Sequence, residues 1–467
     1  MRTPRRVLLL NPGSLYGGEW AGRYPVKPAL LGLFSYLAAN GVPVEVLDLQ
    51  MELGNPEPHQ VDAYLARGRE LLARRTFDLL AVSCWSSLEY LAALRLTEYA
   101  REAEPRARIV VGGYHPTAAP EEFARPGSPF DVVVRGEGEQ ALLELAADGR
   151  AGRRYGAGDG GSAGRGRPLV VDGRPLPADR IYADFAGYPY VKGRPATLGV
   201  YLSRGCPFHC AFCMEGAKGS AWRPYPVDEA LRVVKSALGL RPHVLTFQDA
   251  CFGYRASWRR EFLSGLVDLG VDVPLWAEAR ADRLAADDMD LMQRLELYLQ
   301  LGVETMSSTM AGIMRKAPDG ERYVTAVDAA LRELNRRRLL TKVFLILNHP
   351  GETAETAEQT VGYFERFVAE QPELSVIVNA QPFAYFPGSD IAQRLEHYER
   401  RYGTRVAHAD WWTKAGDQHE LATEVRPSRE LADGRGYVER IHALSGDMVA
   451  KMPASAKLLF FRHLTKL

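Results

Sequence analysis

The chain has 467 residues, too many for one small domain, and at roughly 150 residues per unit it should hold two or three. Hydrophobic residues make up 46% and charged residues 25%, which supplies a sizeable core and excludes wholesale disorder. Lys plus Arg (58) equals Asp plus Glu (58), so zero net charge excludes a general attraction to nucleic acid or to an anionic membrane surface.

No run of about 18 uncharged apolar residues is present. Met1-Arg2-Thr3-Pro4-Arg5-Arg6 leads directly into Val7 to Leu10 without a cleavage-site pattern, which predicts a soluble cytoplasmic protein without a membrane partner. The five cysteines, Cys84, Cys206, Cys210, Cys213 and Cys251, are too few and too unevenly placed for a disulfide framework. Three of them fall within eight residues.

In chain order, Val7 to Leu10 reads as a strand, Ala29 to Ala39 as a helix and Val44 to Leu49 as a strand, followed by a helical stretch from Val61 to Arg75. Leu79 to Ser83, Leu88 to Arg101, Ile109 to Val111, Val132 to Val134 and Glu139 to Ala146 continue the alternation. Four or five parallel strands with crossover helices make a doubly wound, Rossmann-like sheet, which binds ligands at the carboxyl ends of its strands. The turns there are rich in small and polar residues: Asn11 to Gly18, Ser83-Cys84-Trp85-Ser86-Ser87, Gly112 to Thr117, and Arg135-Gly136-Glu137-Gly138-Glu139. Glycines admit a close approach and hydroxyls can bond to a ligand, so the set points to a large polar ligand. The competing reading of any one of them is an ordinary strand-to-helix turn.

Gly152 to Gly166 reads as a flexible linker, and Leu169 to Leu176 as a short hairpin turning at Asp172-Gly173. Strands are then expected at Gly199 to Ser203, Val244 to Gln248, Pro274 to Glu278, Leu297 to Leu301, Val343 to Leu347 and Val376 to Gln381, with helices between them. Six βα units make a partial parallel barrel with its active site at the carboxyl ends of the strands. Residues 391 to 467 read as mostly helical, with Trp411-Trp412 either packed in a core or capping the barrel. The resulting division is 1–150 for the first sheet domain, 151–197 for the linker and hairpin, 198–390 for the barrel and 391–467 for the tail.

Cys206, Cys210 and Cys213 follow the first barrel strand, where three thiolates can hold a soft metal centre. A structural zinc site wants four closed ligands, and no further pair lies nearby at zinc-finger spacing. A [4Fe-4S] cluster on three cysteines leaves one iron open to a substrate or cofactor. His209 could be a fourth ligand but, between two of the clustered cysteines, reads as a surface or supporting residue, and Cys84 and Cys251 read as ordinary partly buried cysteines.

The CxxxCxxC spacing, with Phe212 before the last cysteine and Arg204-Gly205 before the first, resembles the radical S-adenosylmethionine (SAM) enzymes. Phe247 to Phe252, Glu278 to Asp282, Gly302 to Ser307, Pro350-Gly351-Glu352-Thr353 and Pro382 to Gly388 agree with it. The first domain resembles the cobalamin-binding domain of one subclass, through Gly112 to Thr117, Pro120-Glu121-Glu122 and Val134 to Glu139. The Asp-x-His-x-x-Gly pattern that gives cobalt a histidine in other cobalamin proteins is absent from the first two turns.

The resemblance, over about residues 5 to 390, implies a [4Fe-4S] cluster on Cys206, Cys210 and Cys213, with SAM contacts among Phe212, Gln248, Asp249, Arg280, Glu304 and Ser307. It implies cobalamin without a histidine on its lower face, with contacts among Leu15, Tyr16, Ser83, Trp85, Ser86, Ser87, Gly112, Gly113, Tyr114, His115, Gly136 and Glu137. Each of the polar SAM candidates also has a plain reading as a salt-bridge or turn residue, Glu352 as a helix-start residue, and Tyr385 and His349 as satisfied structure. The implied activity is C-methylation of an unactivated carbon of a small metabolite or peptide, with an external flavodoxin- or ferredoxin-type electron donor and no nucleic-acid partner. In the family's mechanism one SAM methylates cobalamin and a second yields the 5′-deoxyadenosyl radical. The alternatives are a radical reaction without methyl transfer (dehydration, rearrangement or cyclisation) and a metal-stabilised binding protein without turnover.

Overall fold

Val7–Asn11 is buried along its whole length, as a strand covered on both faces must be, and it lies inside the first of two parallel sheets. The computed structural model describes residues 5–18, 26–147, 167–177, 185, 187–191, 193, 195–219, 221–454 and 456–457. The chain divides into two units, the first spanning residues 1–192 with the returning segments 386–388 and 410–422.

In the first unit, β1 (Val7–Asn11), β2 (Val44–Asp48), β3 (Leu79–Ser83), β4 (Arg108–Gly112), β5 (Val132–Arg135) and β6 (Leu169–Asp172) form one sheet in the order β2-β1-β3-β4-β5-β6. Every pairing is parallel. The crossovers carry α1 (Pro28–Ala39), α2 (Val61–Ala73), α3 (Tyr90–Ala103) and α4 (Glu139–Ala146). The strand order reverses between β1 and β3, so the ligand crevice of such a sheet falls at the ends of those two strands.

The sheet has six strands rather than four or five, because Leu169–Asp172 is not half of a hairpin. It runs parallel to β5, with Val132 opposite Leu169 and Arg135 opposite Asp172. Gly173 does not reverse the chain: its N–H donates to Arg135 O at 2.6 Å, and a Cβ there would lie 1.9 Å from Glu137 O. Leu169 and Val170 stay exposed, as on a sheet edge. The expected linker, 152–166, lies outside the described residues.

The paired tryptophans belong to the core of this unit. Trp411 packs edge-on against Phe386 at 5.6 Å, and Trp412 packs on His115 at 5.1 Å while its Nε1 donates to Glu122 at 2.6 Å.

The second unit is a partial barrel whose six parallel strands pair in sequence order: β7 (Thr197–Val200), β8 (Val244–Phe247), β9 (Leu275–Ala279), β10 (Leu297–Glu304), β11 (Thr341–Leu347) and β12 (Val376–Pro382). Sequential order with right-handed crossovers puts the helices on one face and leaves the other concave. Along β11, Val343, Leu345 and Leu347 are buried while Lys342, Phe344 and Ile346 are half-buried, which separates the helix-covered face from the concave one. The edge of β12 is covered by α5 (Arg435–Ala443) and α6 (Ser445–Ala450): Val378 N donates to Met448 Sδ at 3.2 Å, and His442 Nε2 lies 2.9 Å from Ala380 O. No described helix is long and apolar enough to cross a membrane.

One backbone contact in the first unit has no tolerance for a side chain. Gly113 has φ +128°, and a Cβ there would lie 2.2 Å from Cys84 O. Gly113→Ala is expected to destabilise the first unit by about 1–3 kcal/mol, read as a lower denaturant midpoint of its unfolding transition.

Candidate functional site

At the carboxyl edge of the first sheet, a buried polar network ties the turns together. Asn11 Nδ2 donates to Asp48 at 2.7 Å, Lys27 Nζ donates to Asn11 Oδ1 at 3.1 Å, and Lys27 pairs with Glu89. Burial raises the Asp48 carboxyl despite the nearby Lys27. Glu89 also accepts from Trp85 N, so the turn after β3 is held from beneath.

Above this network Trp85 is 42% exposed and meets Tyr114 edge-on at 6.0 Å. Leu15 is buried, Tyr16, Ser83 and Ser86 are half-buried, and the hydroxyls of Ser14 and Ser87 are buried without a hydrogen-bond partner among the described residues. Thr117 stitches the next two turns, donating to Gly113 O at 2.6 Å and accepting from Gly136 N at 2.9 Å. Gly112 and Gly113 end and follow β4, while Glu137 accepts from Leu176 N at 3.3 Å. Unpartnered hydroxyls, a bare indole and glycine-lined turns at the switch point fit a large ligand with an apolar face and a polar rim. His115 is placed differently: it is fully buried among Tyr90, Phe123 and Trp412, 3.5 Å from Glu122, and burial lowers its pKa. It packs beneath the edge.

In the second unit the chain leaves β7 and forms a two-residue ladder, Ser203–Arg204 against Arg223–Pro224. This neck closes a loop that carries all three clustered cysteines. Gly205 (φ +77°) lets the neck close, since a Cβ would lie 2.3 Å from Ala221 O. The loop is anchored by Ala211 N to Met314 O at 2.9 Å and by Ile391 N to Ala211 O at 3.1 Å. Burial raises the Cys210 and Cys213 thiols, while a hydrogen bond from Cys251 holds Cys206 below the usual thiol range. The Cys251 contact spans 45 residues and has no local sequence signal. Among the described residues no three His, Cys, Asp or Glu side chains converge to hold a single metal ion. Three thiol donors on one tethered loop fit the donor chemistry of an iron–sulfur cluster. His209 is exposed.

The polar candidates after the other strands separate by environment. Arg280 lies over the Phe208 ring at 3.9 Å and donates to Cys210 Sγ at 3.7 Å, to Asp282 at 2.9 Å and to Lys316 O at 2.6 Å. It straps the cysteine loop to the end of β9. Asp249 is buried beneath the neck, accepting from Leu202 N at 3.1 Å and from the Ser203 hydroxyl, and burial raises it to about 7. Glu304 sits at φ +63° with Lys316 Nζ 2.5 Å away. Ser307 caps the helix Ser308–Ile313 by accepting from Met310 N. Gln248 is half-buried, with its amide on Thr246 at 3.3 Å. Phe212 meets the buried His349 edge-on at 6.1 Å, and Tyr385 is buried. Sequence reasoning did not single out Lys316, which neutralises Glu304.

Glu352 is fully buried just before the helix Ala354–Glu370, and burial raises its carboxyl from 4.5 to about 8. A folded-state pKa above the unfolded one makes its contribution favourable at low pH and progressively unfavourable between about 4.5 and 8. Glu352→Gln is therefore expected to gain stability over the parent with rising pH, reaching about 2–4 kcal/mol near pH 8 and flat above, in denaturant titrations across that interval.

Residues 28–146 match the model of the B12 binding domain, and residues 200–364 match that of the Radical SAM superfamily. The chain is 26% identical, over 84% of its length and 70% of the relative's, to an anaerobic magnesium-protoporphyrin IX monomethyl ester cyclase of Rubrivivax gelatinosus. A shorter stretch, 30% of this chain and 22% of the relative, is 30% identical to the cobalamin-dependent radical SAM methyltransferase TokK of Streptomyces tokunonensis. The radical SAM methyltransferase TsrM of Kitasatospora setae, solved with tryptophan substrate and a SAM analogue, shares the fold at a TM-score of 0.67 and 19% identity, over 96% of this chain and 90% of its own. The same enzyme solved with cobalamin and a [4Fe-4S] cluster aligns at 0.62 and 17% identity, over 97% and 90%. With both domain models matched in one polypeptide, the chain belongs to the cobalamin-dependent radical SAM enzymes, whose cofactors are cobalamin, a [4Fe-4S] cluster and S-adenosylmethionine.

Proposed function

We propose that the protein is a C-methyltransferase acting on an unactivated carbon of a small molecule or peptide, reduced by an external flavodoxin- or ferredoxin-type donor. The observation that carries this reading is the tethered cysteine loop at the mouth of a radical SAM barrel, in a chain that also has a B12 binding domain. Similarity to TokK and the fold shared with TsrM support methyl transfer. Similarity to the Rubrivivax cyclase over 84% of the chain supports a second reading, a radical reaction without methyl transfer.

Cys206, Cys210 and Cys213 are assigned to the cluster, and the turns bearing Ser14, Leu15, Tyr16, Ser83, Trp85, Ser86, Ser87, Gly112, Gly113, Tyr114, Gly136 and Glu137 to cobalamin. When bound, these cofactors supply hydrogen-atom abstraction and methyl transfer. The chain's residues position and shield. Arg280 places a guanidinium N–H on Cys210 Sγ, and hydrogen bonds to a cluster's sulfurs favour its reduced form. Its other contacts, on Asp282 and Lys316 O, fix that geometry. Asp249 keeps the loop's neck against β8. Phe212, Gln248, Glu304 and Ser307 remain the candidates at the SAM side of the loop, with Ser307 contributing chiefly as a helix cap.

Anaerobic reconstitution should give close to one [4Fe-4S] cluster and one cobalamin per chain, with 5′-deoxyadenosine and S-adenosylhomocysteine both formed from SAM under reduction. Cys206→Ala, Cys210→Ala and Cys213→Ala should each lose iron and 5′-deoxyadenosine. Deoxyadenosine without S-adenosylhomocysteine would select the second reading, and iron without cobalamin would refute the assignment of the first unit. Arg280→Gln should keep full iron content and shift the cluster's midpoint potential negative in an EPR-monitored titration. An unchanged potential with weakened SAM binding would instead make Arg280 a SAM contact.

A further inference from the structure

The concave face of the second unit's sheet carries two charged side chains that the cluster and its loop do not use. Parallel register puts Glu278 on β9 opposite Gln300 on β10, and Gln300 opposite Lys342 on β11. The three residues therefore form one row on one face. With adjacent strands about 4.8 Å apart, the backbones of Glu278 and Lys342 stand about 10 Å from each other.

Among the described residues, the Glu278 carboxylate and the Lys342 ammonium have no hydrogen bond or ion pair, and Lys342 Nζ lies only over the Phe344 ring at 5.1 Å. Three other charged pairs of this unit are already made, Arg259 with Asp288, Arg280 with Asp282 and Lys316 with Glu304. Burial is the single cause that raises the Glu278 carboxyl and lowers the Lys342 ammonium, with no countercharge offsetting it. Yet Glu278 is exposed to solvent and Lys342 is half-exposed. Both groups are therefore reachable from solvent in the recess of the concave face. Trp276 and Tyr298, 5.7 Å apart on the same face, add an apolar wall one row closer to the start of their strands.

Two charges of opposite sign, unpaired among the described residues and two strands apart on one face, offer complementary partners to a ligand that carries both charges. We infer that this recess binds a zwitterionic substrate, with Glu278 taking its cationic group and Lys342 its anionic group across an apolar spacer. The inference rests on the enzyme reading above, in which the barrel is the substrate chamber, and it narrows the substrate to molecules carrying an amine and a carboxylate or phosphate held apart.

The test titrates the anaerobically reconstituted full chain, with SAM present, with 6-aminohexanoate and with hexanoate and hexylamine as single-charge controls. 6-Aminohexanoate is expected to bind at least tenfold tighter than either control. Glu278→Gln should reduce it to the affinity of hexanoate, Lys342→Met to that of hexylamine, and Glu278→Asp should restore most of the difference, all with SAM affinity within twofold of the parent. Iron content checks the fold of each variant, and if Glu278→Gln loses iron, Lys342→Met and Glu278→Asp decide. Equal affinity for the three probes overturns the inference. So does a Glu278→Gln variant that weakens SAM tenfold and leaves the probe untouched, which would assign Glu278 to SAM. The titration needs no turnover, so failure of the parent chain to retain cobalamin or to form 5′-deoxyadenosine would refute the enzyme reading while leaving the probe result readable.

Discussion

The second unit depends on one buried carboxylate. Asp249, just past the end of β8, accepts from Leu202 N and from the Ser203 hydroxyl, and so fastens the chain as it leaves β7. Trp222 Nε1 donates to the same Ser203 hydroxyl at 3.1 Å from the far side of the neck. A loop bearing three cysteines could take many shapes; fixed at its neck and tied to Met314 and Ile391 along its length, it keeps its thiols at the barrel mouth. The same burial raises the Asp249 carboxyl to about 7, so the anchor works by accepting hydrogen bonds in a place where its charge is costly.

Around this anchor the strand ends hold backbone that ordinary residues avoid. Glu304 has φ +63° at a register shift in the β10–β11 pairing, and Asn348 has φ +59° just beyond β11. Both are held by specific partners, Glu304 by Lys316 and Asn348 by Val425 O at 2.8 Å and Gly434 N at 2.7 Å. Strained residues persist where neighbours fix them, and here they turn the chain at the carboxyl ends of barrel strands, where parallel barrels place their chemistry. Arg280 fits this pattern, because its guanidinium is engaged with the cysteine loop, Asp282, Lys316 O and, at 5.9 Å, the Tyr323 ring. A side chain so engaged positions its neighbours more readily than it reaches for a ligand.

The rhythm of the chain was legible wherever an apolar run or a helical period marks a segment. Glu139 to Ala146 matches its helix to the residue, and Val44, Leu79, Val132, Val244, Leu297 and Val376 each begin a strand where the apolar run begins. Leu169 to Leu176 misled because Asp-Gly between short apolar runs is the common signature of a hairpin; here the first run instead completes a sheet edge, a long-range choice. The site was legible only in part. The cysteine spacing marks the loop, but Cys251 beside Cys206 and Lys316 beside Glu304 are brought together by strand order. Ser307 and Asp249 share the residue types of ligand contacts and act in the fold as a cap and a neck anchor.

The sequence by itself determined the βα alternation in both halves, the parallel sheets that alternation requires, and the cysteine cluster after the first barrel strand, because each is written in local periodicity or spacing. Only the tertiary structure decided which polar side chains are partnered. It joined Trp411 and Trp412 to the core of the first unit, buried His115 beneath the carboxyl edge of its sheet, and gave Arg280 to the cysteine loop. It also set Glu278 and Lys342 in one row of the second sheet, with no counter-ion among the described residues. The physical reason is that pairing depends on register between strands distant in sequence, and a charge reveals whether it is satisfied only once its neighbours across the sheet are known.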